Sequence, residues 1–211
     1  MKKYNLRNWK SYLRIIMRKI ICFPKSSTFK NKTVSVICNN CVGGIYCHDL
    51  KIKFNSPFVN LNIAQEDFPF LVKHLKEYMN LDIAELMSNK SYPVGVFVTN
   101  NISLRPIVIE FIHYKSFEEA LKKWNERRCR INYENIRVIL DITSRPDLEN
   151  CNFKDFCELP YKKVILTGGE AGTCKYKIDF KDRPFNVGRI LEFYSFAKRF
   201  SDKFNYKKFL S

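Results

Sequence analysis

The segment Ser35–Leu61, SVICNNCVGGIYCHDLKIKFNSPFVNL, gathers the residue types that do chemistry: three cysteines, a histidine, an aspartate, an asparagine pair and a glycine pair. Cys38 and Cys41 form a CxxC, a spacing that zinc uses, with Cys47 and His48 as further candidate ligands. A structural zinc site normally needs a second close pair, and none follows at a usual distance. Cys38 also closes an apolar run, where cysteine behaves as a small hydrophobe. A redox dithiol should open a helix that lowers its thiol pKa, but Gly43 and Gly44 follow and no helical pattern is clear before His48. No metal is therefore expected. NNCVGG offers backbone N–H groups that can cradle a phosphate, yet it matches neither GxGxxG nor the P-loop. A second glycine loop, TGGEAGT at 167–173, is followed by the alternating run CKYKIDF and reads as a turn between strands. No cofactor is expected.

The elements that must position these residues follow from hydrophobic period. Thr33–Cys38, Val94–Val98, Pro106–Ile112, Ile136–Ile142 and Lys163–Leu166 read as strands. Glu66–Met79, Leu81–Met87, Asp147–Cys157 and Phe185–Phe200 read as helices, the last followed by a basic aromatic tail, KFNYKKFL. The helix in SFEEALKKWNERRCR starts at an N-cap, Ser116, with Glu119 three residues on, the capping-box spacing. Strand, helix, strand, helix and strand from 106 to 166 predict an α/β fold: a mostly parallel sheet with crossover helices in Rossmann-like layering.

In such a sheet, ligands bind beyond the carboxyl ends of the strands. That rule selects Asn39, Asn40, Cys41, Gly43 and Gly44 after the first strand. It selects His113 and Tyr114 after PIVIEFI, Asp141 with Thr143, Ser144 and Arg145 around the end of IRVILDI, and Thr167 to Glu170 after KVIL. Asn39 and Asn40, an adjacent pair, exceed what a polar loop alone would place there. His113 would be a general base, and Cys41 a candidate nucleophile. Trp124, Arg127, Arg128 and Arg130 share a helix; Arg127 and Arg130 would suit phosphate or carboxylate, while Arg128 reads as part of a solvated basic face.

The chain has 211 residues, 45% of them hydrophobic, with 18 Phe and 11 Tyr against 7 Gly, which excludes disorder. Eight cysteines in a core-rich chain without a visible signal peptide read as reduced thiols of a cytoplasmic protein. The net charge of +16 is uneven: residues 1–32 hold ten Lys or Arg and no acid, leaving only +6 for the remainder. Within that extension, Trp9, Tyr12, Leu13, Ile16 and Ile20 share one helical face, and Lys10, Arg14 and Arg18 another. The run is too short and too charged to span a bilayer. A basic amphipathic helix followed by a polar linker (1–32), then one α/β domain (33–211), is the expected organisation. The helix either lies on an anionic membrane surface, through residues 1–24, or packs on the domain. Nucleic acid is the least favoured partner, because no recognised binding motif accompanies the charge.

SVICNNCVGG with SPFVNL, then IEFIHYKSFEEALKKWNERRCRINYENIRVIL, then LPYKKVILT, resemble the bacterial domain-of-unknown-function family 1919, over roughly residues 33–205. Members of that family are commonly labelled exopolysaccharide biosynthesis proteins. The resemblance implies recurrent positions at Asn39, Asn40, Cys41, Gly43, Gly44, Asp49, Ser56, Pro57, His113, Tyr114, Lys115, Trp124, Arg127, Arg130, Ile131 and Asn132. It implies work on cell-surface polysaccharide, and the function expected on that basis is a transferase-like enzyme acting on a sugar or sugar nucleotide at the inner face of the membrane, with Asn39 and Asn40 hydrogen-bonding sugar hydroxyls or a carbonyl. A non-catalytic glycan- or lipid-carrier-binding accessory protein is the alternative. The N-terminal helix and TGGEAGT stand outside the resemblance.

Overall fold

The computed structural model describes residues 6–145, 153–168, 176–179 and 190–211. The chain opens with α1 (Leu6–Ser27), which absorbs Pro24 in its last turns and takes in the first part of the expected linker. Phe29, also in that linker, is buried in the core. The apolar strand β1 (Ser35–Cys38) turns directly into α2 (Val42–Asp49). The expectation of no helix before His48 is therefore corrected. Asn40 Oδ1 accepts a hydrogen bond from Val42 N (3.0 Å), the first residue of a helix whose glycines weaken its intrinsic propensity.

The chain then leaves the parallel sheet. The expected helix over 66–79 is two, α3 (Phe68–Lys73) and α4 (Leu75–Met79), broken at His74. Next come β2 (Asp82–Glu85), β3 (Val94–Val98) and β4 (Val108–Glu110), an antiparallel sheet in the order β2-β3-β4. The short helix expected over 81–87 is thus a strand. Pairing with β3 overrides local propensity. Gly95 opposite it makes room, since a Cβ there would lie 2.6 Å from Ile83 Cγ2. β4 pairs with β3, so the strand expected to begin the parallel series belongs to a second sheet.

Helix α5 (Phe117–Arg128) starts as the capping spacing predicts: Ser116 Oγ accepts from Glu119 N at 3.2 Å. Then β5 (Ile136–Asp141), α6 (Lys154–Glu158), β6 (Lys162–Thr167) and β7 (Lys177–Asp179) complete a four-stranded sheet, β1-β5-β6-β7, parallel throughout. The first part of the helix expected over 147–157 lies outside the described residues, as does most of TGGEAGT. The described part of the helix expected over 185–200 is not helical. Residues 190–199 fold back on themselves, with a bridge between Phe193 and Arg199 and a hydrogen bond from Phe200 N to Glu192 O. Arg14 and Arg18 of α1 bind the carbonyls of Phe196 and Ala197, contacts that a helix would have used internally. A 3₁₀ turn (Phe200–Lys203) and α7 (Tyr206–Leu210) end the chain. The expected tail is core: Tyr206, Phe209 and Leu210 are buried.

Side chains of the parallel strands alternate between two cores, as period-2 geometry requires. Ile37, Val138, Leu140 and Ile165 join one cluster with α3, α4, α5 and the antiparallel sheet. Val36, Cys38, Ile139, Val164 and Leu166 join the other with α2 and α7. Apolar cover on both faces is the condition under which a parallel sheet is stable.

Candidate functional site at the carboxyl edge

The ladder between β1 and β5 does not stop at Cys38. Asn39 extends it with its side chain: Nδ2 donates to Asp141 O (3.1 Å) and Oδ1 accepts from Asp141 N (2.8 Å). Its backbone carbonyl accepts from Ile63 N at 2.8 Å. Asn39 is fully buried. Its carboxamide thus clamps two strand ends, which corrects its assignment as a sugar-binding group.

Asn40 stands half-buried one step further out. Its Nδ2 donates to Asp141 Oδ2 (2.8 Å) while its Oδ1 accepts from Val42 N at the start of α2. Asp141 Oδ1 accepts from both Thr143 N (2.9 Å) and Thr143 Oγ1 (2.7 Å). A carboxylate has about four lone-pair directions, so three hydrogen bonds leave one without a partner among the described residues. An anchored carboxylate of this kind can accept a ligand hydroxyl, or its proton, without having to reorganise.

The cysteines take other roles. Cys38 and Cys47 are buried, and burial pushes each thiol up to about 12. Cys41 adjoins the start of α2, half-buried, with Sγ 4.0 Å from Leu61 O. His48 is exposed. Among the described residues no three His, Cys, Asp or Glu side chains gather as a metal site. Gly43 serves packing: a Cβ there would meet Cys38 Cβ at 2.7 Å and Val36 Cγ1 at 3.0 Å, so glycine lets α2 lie on β1. A Cβ on Gly44 would press on Val59 Cγ1 at 3.1 Å.

The remaining expected site residues divide into two other places. Tyr114 and Arg127 pair, Arg127 Nη1 donating to Tyr114 OH at 2.7 Å, with the guanidinium 5.4 Å over the Phe54 ring. Burial raises the Tyr114 pKa against the opposing pull of Arg127. Tyr114 OH in turn reaches Val59 O (3.5 Å). The segment from Val59 to Ile63 therefore touches Tyr114 at one end and Asn39 at the other. His113, next to this pair, is exposed. Arg130 is half-buried just past α5. Trp124 is buried among Phe58, Phe97 and Phe111, so it builds the core and cannot stack on a ligand. Asn132 lies at the amino edge of the sheet: its N–H binds Ser35 Oγ (2.8 Å) and its Oδ1 accepts from Glu134 N (3.2 Å). That position corrects its assignment to the ligand site. Arg128 is not solvated either, since its Nη1 binds the carbonyls of Met79 and Leu81.

The sequence reading missed a second polar cluster. Arg18 of α1 reaches both Asp49, at the end of α2, and Asp202, in the 3₁₀ turn, with bidentate ion pairs. Burial alone would lower the Arg18 pKa, but the two carboxylates outweigh it and hold the guanidinium charged. The signal was present in Asp49, an acid within an otherwise apolar and cysteine-rich stretch.

The family model for the domain of unknown function DUF1919 matches residues 12–211. The chain belongs to this family. The match starts inside α1, so most of the helix, expected to stand outside the resemblance, falls within the family's span. The chain is also similar to a Haemophilus influenzae protein that carries the name "Uncharacterized protein": 34% identity over 185 residues, covering 86% of this chain and 85% of the relative. Among the described residues no helix is long and apolar enough to cross a membrane.

Proposed function

We propose that the protein takes a sugar or sugar nucleotide at the carboxyl edge of β1 and β5 and acts there as a transferase in cell-surface polysaccharide assembly. The observation that carries this reading is the Asp141 carboxylate, fixed by Asn40 and Thr143 with one acceptor direction unpartnered among the described residues. Asp141 would accept the proton of a sugar hydroxyl, Thr143 and Asn40 would keep its charge in place, and Cys41 would line the same rim. The reading takes the doubly covered parallel sheet as Rossmann-like in layering, for which ligands sit beyond the strand ends. The Tyr114–Arg127 pair, at the other end of the 59–63 segment, suits a phosphate or carboxylate of a longer substrate. The exposed His113 is no longer assigned as base, because no contact among the described residues joins it to Asp141.

A second reading is a glycan- or lipid-carrier-binding accessory protein without chemistry. It is favoured by the lack, among the described residues, of a second ionisable group hydrogen-bonded to Asp141. A panel of nucleotide sugars tests both: saturation-transfer NMR reads binding, and release of the nucleotide in the presence of glycan acceptors reads transfer. Transfer that Asp141→Ala abolishes supports the enzyme. Binding without transfer moves the assignment to the accessory protein. Absence of binding across the panel removes both.

A further inference from the structure

Helix α1 is mounted with its polar side inward. Arg18, Cys22 and Ser26 face the body and are buried. Trp9 (61% exposed), Tyr12 (59%), Ile16 (37%), Ile20 (58%) and Phe23 (59%) face solvent. Spacings of three and four residues make them one continuous stripe. Ile16 and Ile20 each lie two positions from Arg18, on the opposite side of the helix. A helix packed for the sake of its own hydrophobic burial takes the reverse orientation. Here Arg18 fixes the orientation through two carboxylates from separate elements, Asp49 and Asp202. Exposed apolar stripes of this extent mark interaction surfaces.

Charge identifies the occupant. Residues 1–32 carry +10 and no acidic side chain. Lys10 and Lys19 flank the stripe, and Lys51 from the body sits 5.5 Å over the Phe23 ring. Ile20 and Phe23 of the stripe also wall a cleft of about 760 Å³, whose charged lining is Arg14, Lys19, Lys51 and Arg199 beside the paired Arg18 and Asp49. Arg199, its guanidinium 4.8 Å over the Phe193 ring, has a buried Nε with no hydrogen-bond partner among the described residues, and burial together with the nearby Arg18 lowers its pKa. A phosphate entering the cleft would supply the missing acceptor. Apolar and aromatic side chains rimmed by lysine, with a cationic cleft alongside, match the acyl–headgroup boundary of an anionic bilayer.

We propose that α1 is a rigid membrane-docking helix, which lays Trp9, Tyr12, Ile16, Ile20 and Phe23 into an anionic phospholipid surface and receives a lipid phosphate in the adjoining cleft. The proposal does not depend on the sugar-site reading.

Flotation of the full-length protein tests it. The protein is mixed with vesicles of phosphatidylcholine alone or with an equal part of phosphatidylglycerol. The wild type should float with the anionic vesicles and stay behind with the zwitterionic ones. Trp9 emission should shift to the blue on the anionic vesicles, with buried Trp124 as a constant background. The double variant Ile16→Glu/Ile20→Glu should lose binding by more than about tenfold while keeping the wild-type Tm, since both side chains are exposed. Lys10→Gln and Lys19→Gln should each weaken binding about fivefold. Three outcomes overturn the proposal: a wild type that fails to float, glutamate variants that float as well as wild type, or a stripe covered by a second copy of the chain, seen as a dimer that those variants dissociate.

Discussion

Exchanging Asn40 and Asp141 puts the geometry of the site under direct strain. In Asp141→Asn, the new carboxamide can keep its Oδ1 on the two Thr143 donors, but its Nδ2 then faces Asn40 Nδ2 at a position where the wild type has a 2.8 Å hydrogen bond. Rotating Asn40 to present its oxygen removes the hydrogen bond from Val42 N. Each escape sacrifices one bond. A hydrogen bond to a charged group contributes about 1.5–3 kcal/mol and one between neutral groups about 1 kcal/mol, so the single variant should lose about 2 kcal/mol. Asn40→Asp alone brings two carboxylates to hydrogen-bond distance and should lose at least about 2 kcal/mol. In the double variant Asn40→Asp/Asp141→Asn every bond returns, the one between residues 40 and 141 with donor and acceptor exchanged. Asp at position 40 also suits the start of α2, where the helix dipole favours negative charge. Its stability should lie within about 1 kcal/mol of wild type. Urea unfolding followed by the fluorescence of buried Trp124 measures all four proteins. Additive losses in the double variant would refute the described hydrogen-bond pattern. The same double variant, though stable, should bind the sugar ligand at least about tenfold more weakly, because the open acceptor has left residue 141.

Three further outcomes follow from other parts of the molecule. Gly43→Ala should cost about 1–3 kcal/mol in urea unfolding, because its methyl group meets the Cβ of Cys38 and forces α2 off β1; an unchanged midpoint would show that the helix does not lie on the strand so closely. Arg18→Met strands the buried Asp49 beside Asp202 and should release α1 to limited proteolysis ahead of the body. The pH dependence of that contact has a defined sign. Burial would raise the Asp202 pKa, but the hydrogen bond from Arg18 and that from the Arg199 backbone hold it below its ordinary 3.8. A depressed carboxylate adds stability above the unfolded value and loses it as pH falls through the folded one, so protection of α1 should fade below pH 3.8 and not between 5 and 7. Finally, the exposed thiol of Cys129 should react with Ellman's reagent at neutral pH, while Cys38 and Cys47, pushed up to about 12, react only on unfolding. Groups held protonated in the fold add stability below the ordinary thiol value of 9.0 and lose it as pH rises toward 12, so stability should drop across that interval.

How much of this was legible in the sequence depended on whether the signal was local. β3, β5 and β6 are continuous apolar runs, and the Ser116 cap of α5 is a contact between neighbours in the chain; both were read directly. β2 was misread because LDIAELM has no strand period of its own and becomes a strand only against β3. Residues 190–199 were misread because their aromatic spacing imitates a helix, while the partners that hold them, Arg14 and Arg18, lie some 180 residues away. At the site, the rule about strand ends found Asn39, Asn40 and Asp141 together. It did not tell a clamp from a contact. Asn39 and Asn40 are adjacent and identical in type, and only tertiary pairing makes the first a buried bridge between strands and the second part of the rim. Trp124 and Arg128 show the same limit: a recurrent aromatic or basic residue on a helix reads alike whether it lines a pocket or fills a core.

The central claim is that a sugar ligand sits at the carboxyl edge of β1 and β5. Backbone amide shifts of the ¹⁵N-labelled protein, followed as the best-binding nucleotide sugar of the panel is titrated in, measure this most directly. The account predicts that the perturbed amides cluster at residues 40–44 and 141–145, and that Asp141→Ala removes the perturbations without unfolding the sheet. Saturating shifts confined to another surface, or to residues 113–130 alone, would contradict it.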